Sequence, residues 1–135
     1  MSIERKKSHS VFLLVLLFAY AAASLIHYVH NAVFLDEYPN MPDWLSPARV
    51  YVAWCGVTAI GIVGYMFVRR GLPIIGLILL AVYGALGLDG LGHYSLAPIS
   101  AHSIGMNLTI WLEALTATTV LTGVAGLTLS RLRGV

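Results

Sequence analysis

Charge is scarce in this chain. Eight Lys and Arg and six Asp and Glu among 135 residues amount to 10%, against roughly 25% in soluble domains. So few charges cannot coat a water-exposed surface, which excludes an ordinary soluble globular protein. Cysteine is scarcer still, and a single thiol, Cys55, rules out an intrachain disulfide and a CxxC redox pair. The formal net charge is only +2, and the basic residues lie at the ends of apolar segments rather than along a face. Nucleic acid is therefore excluded as a partner. HExxH and related reaction signatures are absent, as are internal repeats and low-complexity tracts.

What is present is apolar, at 59% of residues. A helix needs roughly 20 apolar residues to cross a bilayer. Segments at about 11–35, 48–68, 73–91 and 101–129 meet that length and use nearly the whole chain. The expected fold is all-α: one domain, an integral membrane four-helix bundle with short loops, its surroundings the lipid bilayer.

The start of the first segment reads like a secretory leader, with Arg5, Lys6 and Lys7 before an apolar run and Ala21–Ala23 as small residues. Cleavage there is not expected, because the apolar run continues well past that point. The second segment has a clear start, with Ser46 as helix cap and Pro47 in the first turn. Ser100 is the expected cap of the fourth.

Lys and Arg gather before the first segment, between the second and third, and after the fourth. The positive-inside rule makes that face cytoplasmic, so both termini are expected inside, in the inner (plasma) membrane if the chain is bacterial. The connections at about 36–47 and 92–100 carry no Lys or Arg and hold Asp36, Glu37 and Asp43. They are expected to face outward. Tyr38, Trp44, Tyr51 and Tyr94 read as an interfacial aromatic belt, and the two prolines at 39 and 42 stiffen the first connection into a cap over the bundle mouth. The glycines at 56, 61 and 64, and at 84, 87 and 90, suit close helix approach.

Four of the five histidines fall near the outer ends of these segments. His27, His30 and Asn31 share a face of the first helix, as Asp89 and His93 do on the third. At about 1.5 Å per residue, His27 and Asp89 both lie roughly 24 Å along their helices, and His30 and His93 roughly 29–30 Å. His102, Met106 and Glu113 form a stripe on the fourth, with Glu113 about 17 Å deeper than His102. Ionisable groups at such depths are costly and normally face a partner or a cavity. Glu113 has a structural alternative, donating to Thr109 or Thr116. Arg49 is the odd cation on the outer side, expected either to snorkel or to pair with Asp36, Glu37 or Asp89.

Neutral imidazoles with carboxylates suit a transition metal ion such as zinc, copper or iron, giving the candidate ligands His27, His30, Asp89, His93 and His102. Asn31, Asp36, Arg49 and Glu113 are expected to support that set or relay protons. Haem b, held by two facing histidines, is the alternative cofactor. A scaffold or accessory subunit packed through small residues and threonines, as a homo-oligomer or with a membrane partner, is the competing class. A proton-coupled carrier using Glu113 is a third, and four spans would then require a dimer.

Overall fold

A computed structural model describes residues 3–133 of the chain, with side chains from 11 onward. The side chains of Arg5, Lys6, Lys7 and His9 lie outside the described residues. The fold is all-helical. Four long helices, α1 (Ile3–Val33), α2 (Pro47–Arg69), α3 (Pro73–Leu86) and α5 (Ile104–Leu132), are supplemented by a single turn, α4 (His93–Leu96). Four stretches, Val11–Val33, Pro47–Arg69, Pro73–Leu96 and Ile104–Leu132, are long and apolar enough to cross a membrane.

Each long helix packs on two neighbours, α1 and α3 both contacting α2 and α5. The α2–α3 hairpin is closed by Gly71 at φ 87°, a left-handed position that costs glycine nothing. Its helices then approach so closely that a Cβ on Gly76 would lie 2.7 Å from the Gly64 carbonyl oxygen. Gly56, by contrast, has nothing within 4 Å of an added Cβ.

The interior divides into two zones. Toward the α2–α3 hairpin it is dry, built from Leu13, Leu17, Leu77, Leu80, Val120 and Val124 with Tyr20 and Tyr83 stacked above them. Toward the opposite end, where residues 34–46 and 97–103 connect the helices, buried polar side chains take over. The exterior is apolar, with Phe18, Val52, Ile74, Ile104 and Leu108 exposed.

Three helix ends depart from the sequence expectation. The first helix stops at Val33 and passes into a 3-10 turn at Leu35–Glu37. The third stops at Leu86, followed by a 3-10 turn at Asp89–Gly92, because the glycines at 87, 90 and 92 are poor helix formers and favour tighter i to i+3 bonding. The fourth starts at Ile104, capped by Ser103 and not Ser100: the Ser103 hydroxyl accepts from the Met106 amide at 3.2 Å, and the Ser103 amide donates to the Met106 sulfur at 3.3 Å. Ser100 instead lies in the 3-10 turn Ile99–Ala101. Ser46 caps α2 as expected, accepting from the Arg49 amide, with Pro47 at the first position.

Candidate functional site

The polar end of the bundle encloses a cavity of about 340 Å3 between α1, α2, the broken end of α3 and the 41–45 segment. Its wall includes His27, Asn31, Asp89, His93 and Glu113, while Met41, Trp44 and Leu45 lie toward its rim and neither Lys nor Arg borders it. His27, Asn31, His93 and Glu113 are all buried; Asp89 is exposed at the mouth.

The protons on His27 can be placed from its neighbours. Thr109 has one hydroxyl hydrogen, which it donates to the Met106 carbonyl at 3.1 Å. With that hydrogen so placed, its oxygen accepts from His27 Nδ1–H at 3.2 Å. His27 Nε2 is left with a lone pair, and it faces Glu113 Oε2 at 3.7 Å. Two acceptors face one another across that gap, which is stable only with a proton or a cation between them. Gly90 keeps the space beside them open, since a Cβ there would lie 3.0 Å from Glu113 Oε2 and 3.6 Å from His27 Nε2.

His93 stands against His27, ring centroids 5.5 Å apart, and its Nε2 is 3.1 Å from Asn31 Nδ2. With the amide donating, the His93 proton is on Nδ1, where it finds no acceptor, and Asn31 Oδ1 finds no donor. Turning the amide over exchanges the roles and again leaves groups unmatched. Below Glu113 lie the buried hydroxyls of Ser24 and Tyr20, with Ser24 beside both the Glu113 carboxyl and the Tyr20 hydroxyl. The polar column ends there, against the dry core.

The remaining sequence candidates lie elsewhere. His30 and His102 do not border the cavity. They join a ring stack on its far side, organised around Tyr38: His30 Nδ1 is 3.0 Å from the Tyr38 hydroxyl, and the Tyr38 ring lies 4.9 Å from His93 and 6.5 Å from His102. His102 precedes α5, in the turn after Ile99–Ala101, with its Nδ1 on the Pro98 carbonyl at 3.1 Å. Among the described residues no three His, Cys, Asp or Glu side chains converge on one point suited to a metal ion.

Asp36 is exposed in the Leu35–Glu37 turn, away from the cavity. Arg49 donates to the Trp44 carbonyl and holds its guanidinium 5.8 Å from the Trp44 ring centroid, so it braces the cap segment rather than pairing with Asp36, Glu37 or Asp89. Thr116 and Thr109 donate to carbonyls of their own helix, at Leu112 (2.8 Å) and Met106 (3.1 Å), and among the described residues neither hydroxyl is hydrogen-bonded to the Glu113 carboxyl.

Two residues matter here that sequence reasoning placed otherwise. Tyr38, read as an interfacial ring, is 3% exposed, and burial pushes its hydroxyl up to about 12. Thr109 orients His27; its position four residues before Glu113, on the same helix face, was the available signal. Comparison with protein-family models, curated proteins and solved structures finds no match.

Proposed function

We propose that this chain is a multi-pass membrane protein, both termini cytoplasmic, that binds a small cation in a cavity opening toward the outer face. The apolar exterior and the four long apolar helices support insertion. The Lys and Arg distribution supports the orientation. The observation that carries the binding reading is the buried pair of His27 Nε2 and Glu113 Oε2, 3.7 Å apart, with the imidazole held by Thr109. With Asp89 at the mouth and no basic side chain on the wall, the site offers acceptors and negative charge. A cation that binds there displaces a proton shared by Glu113 and His27.

A small primary ammonium ion fits this chemistry best. Its N–H groups match the acceptors, Trp44 and Tyr28 are among the lining residues, and the cavity has the size of a small-ligand site. A bare transition metal ion (zinc, copper or iron) is the second reading. It is favoured by the Thr109-oriented imidazole and by the 3.7 Å gap, which two bonds of about 2.0–2.2 Å would span at an angle near 125°. It is ranked lower because no third ligand converges. Haem b ranks below both, since the Tyr38 ring packs against His93 where a porphyrin would need a flat slot.

Trp44 on the cavity wall provides the assay. Titrating the purified protein in nanodiscs with ethylammonium should quench or shift its emission saturably, and tetramethylammonium, which has no N–H, should not compete. In Glu113→Gln the amide donates to His27 Nε2, so stability is kept while ethylammonium binding is lost. Absence of a saturable ethylammonium response in the wild type overturns the ammonium reading, and saturation by zinc instead selects the metal.

A further inference from the structure

The seam between α3 and α5 carries a groove of about 790 Å3 toward the hairpin end of the bundle. Further in, the two helices are tight against each other, and a Cβ on Gly84 would lie 3.0 Å from Leu121 Cγ. Leu77 and Val124 are buried and form the floor of the groove, while the exposed side chains of Ile74, Ile78 and Leu132 stand up as its walls. Among the described residues no aromatic ring lines it, and its one hydroxyl, Thr128, donates to the Val124 carbonyl at 2.9 Å. The lining is thus aliphatic, suited to a flexible hydrocarbon chain rather than to a ring.

From Leu121 to Leu132 the groove runs roughly 16 Å along α5. The hydrocarbon core of a bilayer is about 30 Å thick, so this length is that of one leaflet. At the hairpin end it meets Arg131, in the last turn of α5. Arg131 is exposed, and among the described residues it has no hydrogen-bond or ion-pair partner. Neither Asp nor Glu borders the groove.

We propose that this groove binds an anionic phospholipid of the cytoplasmic leaflet, with one acyl chain between α3 and α5 and the phosphate on Arg131. The site presupposes the membrane insertion and orientation proposed above, and it lies at the opposite end of the bundle from the cation cavity. A guanidinium donates two parallel N–H bonds to a phosphate, and basic pockets between spans on the cytoplasmic side attract anionic headgroups. The groove between α1 and α2 gives the contrast. Phe18, Tyr65 and Tyr83 line it and no charged group does, so nothing there distinguishes one headgroup from another. Arg70 is exposed in the α2–α3 hairpin but does not border the α3–α5 groove, so it reports general attraction to an anionic surface.

The test uses the full chain in nanodiscs of equal phosphatidylglycerol and phosphatidylcholine, with the lipid that remains bound counted by native mass spectrometry. Wild type should retain phosphatidylglycerol in preference to phosphatidylcholine by about fivefold, the effect of one cation at the headgroup level. Arg131→Gln should lose the preference, and Ala125→Phe, which fills the groove from an exposed position, should lose the bound lipid. Arg70→Gln should keep both, and thermal melts monitor folding. Absence of a preference in wild type, or its survival in Arg131→Gln, overturns the proposal. Equal loss in Arg70→Gln overturns it in favour of a general basic surface, and a lipid-free dimer broken by Ala125→Phe overturns it in favour of a second copy in the groove. Carbonate extraction of cell membranes reads insertion separately: a chain that is extracted fails the membrane reading, whereas an inserted chain without lipid preference fails only this one.

Discussion

Thr109→Val is the sharpest perturbation of the cation cavity, because it keeps the side chain's shape and removes only its oxygen. His27 Nδ1–H then loses its acceptor, now at 3.2 Å, in a position where the imidazole is 3% exposed. A buried donor left without a partner costs about 1–3 kcal/mol. Relief is available locally: the proton moves to Nε2 and is donated across the 3.7 Å gap to Glu113 Oε2. That rescue occupies the space intended for the ligand. Cation affinity should fall about 10- to 100-fold, the usual effect of losing the group that orients a binding imidazole, which corresponds to roughly 1.4–2.8 kcal/mol. The Thr109 bond to the Met106 carbonyl is lost too, but that carbonyl lies within the helical hydrogen-bond ladder, so its loss contributes little. Ethylammonium titration of the Trp44 emission measures the affinity, and a thermal melt measures stability. Thr109→Ser keeps the hydroxyl and should bind like wild type. Wild-type affinity in Thr109→Val would refute the tautomer assignment and the reasoning built on it.

Two further outcomes follow from the same geometry. Gly90→Ala inserts a methyl 3.0 Å from Glu113 Oε2. It should weaken ethylammonium binding by about tenfold or more while overpacking costs about 1–3 kcal/mol of stability, and unchanged binding would show that the ligand sits elsewhere. The Tyr38 hydroxyl is pushed by burial from its ordinary value near 10 up to about 12. Its contribution to stability is thus fully present below about pH 10, where the unfolded tyrosine is also neutral, and is lost as pH rises toward 12. Tyrosinate absorbance and the thermal melt, followed together across that window, should show the fold weakening before Tyr38 ionises, and Tyr38→Phe should lessen the loss.

Four apolar helices and the start of α2 are legible in the sequence, because composition, length and the Ser46–Pro47 cap are local properties. The sequence also marked His27, Asn31, His93 and Glu113 as polar groups set in apolar surroundings, since their cost in such segments is independent of partner. Where the third helix breaks is only half legible: the glycines at 87 and 90 read as close-approach residues, and only the fold makes the segment after Leu86 a 3-10 corner with Gly90 opening the floor. The division of the histidines was decided entirely by tertiary structure. His30 and His102 went to the Tyr38 stack and His27 to the cavity, with His93 between them. No spacing rule reports that choice, because it depends on which rings pack across helices. The same holds for the proton on His27, which is fixed by a hydroxyl 82 residues away in the chain. Helices follow from neighbours in sequence, whereas a site follows from the few side chains that packing brings face to face.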